Sequence, residues 1–239
     1  MATRYQVTPA APHEHLFEVE ATFPTSAPGP LDLWMPAWTP GSYLVREYAR
    51  HVQGLTAVGA DGRALGVERL DKATWRVSGD AGPELTVRYR VYANDLTVRT
   101  NHLDGSHGYF NGAATFLTSD AHRGQPCALE VRLPQGWRSF CALPATGPGR
   151  YLAESFDALV DSPVEMGGAQ VTSFGFTAAG KPHEVVVWGA GNFDPVHLAE
   201  DLQTLCEAEA RLFGTLPCER YLFLVLLTDK GRGGLEHAS

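Results

Sequence analysis

The chain has 239 residues, of which 44% are hydrophobic and 19% are charged, a composition typical of a globular protein with a sizeable core. The formal net charge is −8 and no cluster of Lys and Arg stands out, which argues against a nucleic-acid partner. The longest apolar run, residues 221–227, is too short to cross a bilayer, and no signal peptide is visible, so we expect a cytoplasmic protein without a membrane partner. The four cysteines lack zinc-ligand spacing and are expected to be reduced core residues.

Residues 1–168 are predicted to form a mainly β domain, either an antiparallel β-sandwich or a large curved sheet. The clearest strand is residues 85–92, in which Leu, Val and Tyr alternate with Thr and Arg, as in a half-buried antiparallel strand. The pair Asp61-Gly62 tolerates positive φ and predicts a hairpin turn. The other segments with strand character are residues 55–58, 65–68, 74–77 and 128–133.

Residues 169–239 are predicted to be the α/β beginning of a second domain. Residues 195–213 have helix signals that agree: Asp194 can cap the helix, Pro195 fits its first position and Gly214 suits its C-terminal cap. Strands are predicted on both sides of this helix, at residues 184–188 and 221–227, and the second is expected to be buried on both faces. The apolar stripe expected to pack on the sheet consists of Leu198, Leu202, Leu205, Leu212 and Phe213.

Gly233, Gly234 and Glu236 are the candidate substrate-binding residues. A peptidase that binds its substrate by backbone pairing needs a strand with a free edge, and glycines let the substrate approach that edge closely. A carboxylate at the end of such a strand can pair with a free α-ammonium group. From these few residues alone, a glycine turn followed by a surface glutamate is the favoured interpretation, and only the segments upstream shift the balance toward substrate binding.

Histidines are the other candidates for chemistry. His13 and His15 are expected on one strand face, where they could begin a metal site, although no third ligand is evident. His102 and His107 are expected in a polar loop within residues 101–112. Residues 161–166 either bring two carboxylates to a cleft or form a capped turn at the domain junction. The aromatic and proline-rich residues 34–43 are expected to pack in the structure rather than to contact a ligand.

Four segments together resemble the glycyl aminopeptidase family of zinc peptidases, whose members often carry a PDZ domain. They occur in the family's order, and they are residues 38–50, 71–75, 160–167 and 233–237. The resemblance implies an N-terminal β domain, a thermolysin-like catalytic domain and a C-terminal region that often includes PDZ. Residues 233–236 also resemble the Gly-Ala-Met-Glu-Asn segment of the aminopeptidase N superfamily. That similarity implies that Glu236 binds the substrate's free amino group and that Gly233 and Gly234 line its backbone, while His237 stands where the superfamily has Asn.

The family's zinc motif H-E-x-x-H matches nothing in the sequence. We therefore expect an N-terminal fragment of a zinc aminopeptidase that acts on peptides with free N-termini. Zn²⁺ is expected in the full-length protein, whereas this chain alone is expected to hold no metal and to be inactive. Homodimerisation through the uncovered face of residues 184–227 is a further expectation. The alternative is a stand-alone β-rich module that binds peptide or carbohydrate, in which the α/β part is only structural.

Overall fold

The computed structural model describes residues 2–26, 28–229 and 233–238, and this part of the chain is mainly β. It contains two α-helices, α1 (Phe156–Val160) and α2 (Pro195–Phe213), and neither is long and apolar enough to cross a membrane. The strands, in chain order, are β1 (Thr3–Ala11), β2 (Leu16–Pro24), β3 (Leu31–Trp34), β4 (Val52–Gly59), β5 (Ala64–Arg69), β6 (Thr74–Ser78), β7 (Glu84–Tyr92), β8 (His102–Leu103), β9 (His107–Phe110), β10 (Cys127–Val131), β11 (Arg138–Cys141), β12 (Ala145–Gly147), β13 (Arg150–Ala153), β14 (Val164–Gly167), β15 (Val171–Ala178), β16 (Lys181–Trp188) and β17 (Tyr221–Leu226).

Ten strands form one large sheet in the order β12-β13-β10-β1-β2-β7-β4-β5-β6-β3. All neighbours are antiparallel except β1 and β10, which run parallel. The alternation predicted for β7 is confirmed, because Leu85, Val87, Tyr89 and Val91 are all buried and face the core. The predicted hairpin joins β4 and β5, with Gly62 at a φ of +80°.

A second sheet, in the order β11-β14-β9-β8, packs against the first and makes a β-sandwich. Phe110 of β9 lies edge to face with Phe17 of β2, with ring centroids 5.7 Å apart. Gly108 permits this approach, because a Cβ there would lie 3.2 Å from the Phe17 ring and 3.1 Å from the Met166 side chain. These two packed sheets and their loops form the sandwich.

A third sheet, in the order β15-β16-β17, follows in the chain. The strands β16 and β17 are parallel and are connected through α2, which is the expected geometry for a strand-helix-strand unit. The predicted helix is confirmed at both ends. The carboxylate of Asp194 accepts the amide N–H groups of Val196 and His197, and Gly214 adopts the left-handed conformation at φ +85°.

The packing of this last unit differs from the prediction. The helix contacts the sheet mainly at β15, and Ala210 is its one buried residue in the described part of the chain. Leu205, Leu212 and Phe213 of the predicted stripe are exposed, and β17 is half-buried instead of buried on both faces. The reason is the position of β17 at the end of a narrow sheet, where α2 does not cover it.

Two further expectations are corrected. Residues 12–14 form a 3-10 turn and His15 is left-handed at φ +57°, so His13 and His15 do not share a strand face. Pro12 and the reversal between β1 and β2 account for this turn. In the aromatic segment, Tyr43 is 97% exposed rather than packed, because it lies on the loop between β3 and β4, where Leu44 and Val45 are exposed as well.

Candidate functional site

Residues 233–238, named here the Gly-Gly segment, lie outside the strands of the structure. The edge strand predicted to end near Glu236 is therefore not formed by these residues. A strand needs a backbone partner, and two adjacent glycines give little preference for extended pairing without one. Gly233, Gly234 and Glu236 are all exposed.

One end of the third sheet is β17, and among the described residues no strand pairs with its outer edge, which is therefore called free. A cavity of about 310 Å³ separates β17 from the Gly-Gly segment. All six residues of β17 line it on one side, and Gly233–His237 line it on another. The sandwich closes the cavity through Val98, Tyr109 and Pro163. The cavity thus combines an apolar strand edge, two residues without side chains and one carboxylate.

Glu236 is exposed and lies close enough to Tyr221 to influence its hydroxyl. The pKa of Tyr221 is raised by burial first, then by the neighbouring Cys206 and Cys218, and after them by the charge of Glu236. A charged carboxylate at the rim of an apolar cavity can bind a cation without first being desolvated completely.

Three elements of the sandwich contact the Gly-Gly segment. The Arg99 guanidinium donates to the carbonyl oxygen of Gly234 at 3.1 Å. Oδ2 of Asp161 accepts a hydrogen bond from the amide N–H of Ala238 at 3.0 Å. Oδ1 of the same carboxylate lies 3.0 Å from Nδ1 of His237. Gly41, at φ +77°, lies against Leu235, because a Cβ at that glycine would come within 2.5 Å of the leucine Cδ1. Asp161 is the residue after α1, so residues 161–166 do bring one carboxylate to the cavity side.

The other carboxylate of that stretch, Glu165, is buried in β14 beside His107. Oε1 of Glu165 is 2.9 Å from Nδ1 of His107, and Nε2 of His107 is 2.8 Å from Nδ1 of His102. Trp188 of β16 stacks on His107 with ring centroids 3.7 Å apart. Among the described residues, Oε2 of Glu165 has no hydrogen-bond partner.

Burial favours the neutral form of both side chains in this pair. It raises the pKa of Glu165 well above its usual range. It also lowers the pKa of His107 to about 3, with a smaller contribution from the neighbouring His102. In the neutral form, the carboxyl O–H donates to Nδ1 of His107, and the Nε2–H of His107 donates to Nδ1 of His102. Because the two histidines lie in β8 and β9, the prediction of a polar loop with ordinary histidines is wrong.

Sequence reasoning missed the pairing of Glu165 with His107. One signal was present: Glu165 is an ionisable residue between Val164 and Met166 in a strand that is buried throughout. Nothing in the sequence indicates its partner 58 positions away. In the described residues, no three His, Cys, Asp or Glu side chains are grouped so that they could hold a metal ion, and all four cysteines are free thiols.

Known structures resemble this fold. An aminopeptidase N family protein from Idiomarina loihiensis is 34% identical with a TM-score of 0.93, over 98% of this chain and 40% of that protein. An M1 zinc metallopeptidase from Deinococcus radiodurans, bound to a Tyr-Ser-Ala substrate, is 13% identical with a TM-score of 0.55, over 97% of this chain and 57% of that one. Aminopeptidase A from Legionella pneumophila, in complex with aspartic acid, is 10% identical with a TM-score of 0.53, over 94% of this chain and 28% of that protein. The last two show similarity of fold alone.

The chain spans about 40% of the length of its Idiomarina relative. Among curated proteins, none matches it. Residues 4–168, which contain most of the sandwich, match the Peptidase M61 N-terminal domain. This match covers more than half of the 239 residues, and the chain therefore belongs to the M61 peptidase family through that N-terminal domain.

Proposed function

We propose that this chain is the N-terminal part of a zinc-dependent aminopeptidase and that Glu236 binds the free α-ammonium group of a peptide substrate. One observation carries the proposal: an exposed carboxylate lies at the rim of a cavity that is lined by a free strand edge and by two glycines. Membership in the M61 peptidase family and the similarity to an aminopeptidase N family protein support the same activity.

The chemistry of binding follows from three groups. The carboxylate of Glu236 pairs with the ammonium group through a charge-assisted hydrogen bond, which is stronger than a bond between neutral groups. Gly233 and Gly234 let the substrate backbone approach closely, and a Cβ at Gly234 would meet no atom within 4 Å. The free edge of β17 offers backbone groups for strand addition along the peptide.

The described residues do not offer a site for the zinc ion of this enzyme. We propose that the ligands and the general base lie in another part of a longer protein, as the length of the Idiomarina relative suggests. In that case the 239-residue chain recognises a substrate and does not hydrolyse it. Peptidase activity in the purified chain would contradict this part of the proposal.

We further propose that the enzyme is of the glycyl aminopeptidase type, with a PDZ-containing C-terminal region. The division proposed is residues 1–168 for the β domain and 169–239 for the start of a thermolysin-like domain. The family match, which ends at residue 168, supports this boundary. Reading the coding sequence that follows residue 239 tests it, since an H-E-x-x-H motif within a few dozen residues is expected.

A cytoplasmic location and a homodimer are also proposed. The apolar side chains of Leu212 and Phe213 in α2 are each 74% exposed. This exposed apolar face supports the dimer, because a second copy of the chain would cover it. Sedimentation of the 239-residue chain tests the dimer, and a monomer at all concentrations would contradict it.

Replacing Glu236 tests the binding role. In the full-length enzyme, Glu236→Ala should weaken binding of Gly-Leu amide by about 1.5–3 kcal/mol, the usual value of a hydrogen bond to a charged group, which is roughly 10- to 140-fold. Binding of the N-acetylated peptide, which has no ammonium group, should change little. Inhibition constants of the two peptides against a chromogenic substrate give both numbers.

Glu236→Gln is the matched variant, because it keeps the size of the side chain and removes its charge. It should behave like Glu236→Ala toward the free amine. Equal losses for the free and the acetylated peptide in both variants would refute the role of Glu236.

A further inference from the structure

Glu236 lies in a segment without strand pairing, yet an ammonium site needs its carboxylate at a defined position. We propose that the sandwich supplies this position and that Asp161 is the main positioning residue, with Arg99 as the second. The inference rests on the proposed role of Glu236. In this proposal the N-terminal domain does more than line the cavity, because it also positions the carboxylate that binds the substrate.

Asp161 fixes the chain directly after Glu236. Its two carboxylate oxygens are engaged by consecutive residues, the imidazole of His237 and the amide of Ala238, each at 3.0 Å. The side chains of Asp161 and His237 are only 15% and 11% exposed, so water competes little for these bonds. A two-point contact of this kind fixes both the location and the direction of the backbone that leaves Glu236.

Arg99 fixes the chain on the other side of Glu236. Its guanidinium donates to the Gly234 carbonyl oxygen, two residues before the carboxylate. Between the two anchors, Leu235 packs against Gly41, whose φ of +77° and lack of a Cβ leave room for the leucine. Gly234, Leu235 and residues 237–238 therefore contact three different loops of the sandwich.

These contacts come from separate parts of the sequence. Gly41 follows β3, Arg99 follows β7 and Asp161 follows α1. Because all three loops belong to one packed sandwich, the Gly-Gly segment is anchored to the sandwich at three separate points. Val98, next to Arg99, and Pro163, two residues after Asp161, line the cavity, so two of the three loops also place Glu236 relative to the cavity wall.

The first measurement concerns the anchor itself. In the 239-residue chain, the amide proton of Ala238 should exchange slowly with deuterium, and Asp161→Ala should abolish this protection. Asp161→Asn, which keeps one acceptor oxygen, should retain part of it. The matched control is Asp157→Ala, which removes an exposed carboxylate of α1 that binds Arg123. Equally fast exchange of the Ala238 amide in wild type and Asp161→Ala would overturn the proposal.

The second measurement concerns function in the full-length enzyme. Asp161→Ala should raise the KM for free-amine peptides, by up to about 100-fold if the carboxylate moves by 1 Å, with a much smaller change in kcat and in binding of N-acetylated peptide. Asp161→Asn should restore part of the loss, and Asp157→Ala should resemble wild type.

The outcomes separate the two proposals. If Asp161→Ala affects free and acetylated peptides equally while Glu236→Ala discriminates between them, the positioning role is refuted and the ammonium site stands. If Glu236→Ala fails to discriminate although the Ala238 amide is protected by Asp161, the proposed function itself is refuted, and the positioning role with it.

Discussion

Replacing Glu165 with glutamine tests whether the buried pair of Glu165 and His107 is neutral. Both side chains are at most 1% exposed and 2.9 Å apart. If the carboxyl is protonated, the glutamine amide can donate to Nδ1 of His107 as the carboxyl O–H does. Glu165→Gln should then change the free energy of unfolding by less than about 1 kcal/mol, the net value of an ordinary hydrogen bond.

Glu165→Ala is the contrasting variant. It leaves Nδ1 of His107 buried without a donor, which costs about 1–3 kcal/mol, and it adds the cost of a small cavity. If the pair were instead ionised, Glu165→Gln would leave a buried charged imidazole and cost about 3–5 kcal/mol. Urea unfolding of the three proteins at pH 7 distinguishes these cases, and a glutamine variant as unstable as the alanine variant would refute the neutral pair.

The pH dependence provides an independent check. The folded-state pKa of Glu165 is raised, so its contribution to stability is present below the unfolded pKa and is lost as the pH rises through the folded value. Glu165→Gln lacks this loss and should gain stability relative to wild type with rising pH, by up to about 1.4 kcal/mol per pH unit. The pKa of His107 is lowered to about 3, so in both proteins its contribution is present above pH 6.5 and is lost as the pH falls toward 3.

Two substitutions outside the site have defined expectations. Asp194→Ala removes the cap of α2 and should lower the free energy of unfolding by about 1 kcal/mol. The control is Asp201→Ala, an exposed change within the same helix, which should have a much smaller effect. Equal effects of the two substitutions in urea unfolding would contradict the capping role. Gly112→Ala would place a Cβ 2.7 Å from the Cα of Val160 and should destabilise by about 1–3 kcal/mol through overpacking. Its control is Gly124→Ala, where a Cβ meets no atom within 4 Å, and similar melting temperatures for the two variants would refute the steric argument.

Local signals predicted the elements whose stability is local. The helix α2 begins and ends where Asp194, Pro195 and Gly214 indicate, because capping depends on residues within one turn of each end. The alternation of apolar and polar residues predicted strand β7, because one face of the large sheet is buried.

Contacts between distant segments could not be predicted. His107 belongs to a four-residue strand next to glycine-rich turns, and it is buried beside Glu165 and Trp188, which come from distant parts of the sequence. The anchor of the Gly-Gly segment joins residues 76 positions apart, so His237 gave no indication of Asp161. The strand expected at residues 233–236 is absent from the described structure because a strand depends on a partner backbone that the sequence does not reveal.

The position of β1 has a consequence for the order of folding. This strand lies inside the large sheet, paired with β2 on one side and with β10 on the other, so that Thr3 is aligned with Cys127. During synthesis β1, β2 and β7 can assemble as soon as residue 92 has emerged, but the other edge of β1 must wait for β10. Until then β1 presents an unpaired edge, which is a template for association with other chains. Removing the first strand would leave β2 and β10 without the strand that both pair with. A nascent chain that pauses before residue 127 exposes the unpaired edge of β1, and this edge is the site at which the sheet can aggregate.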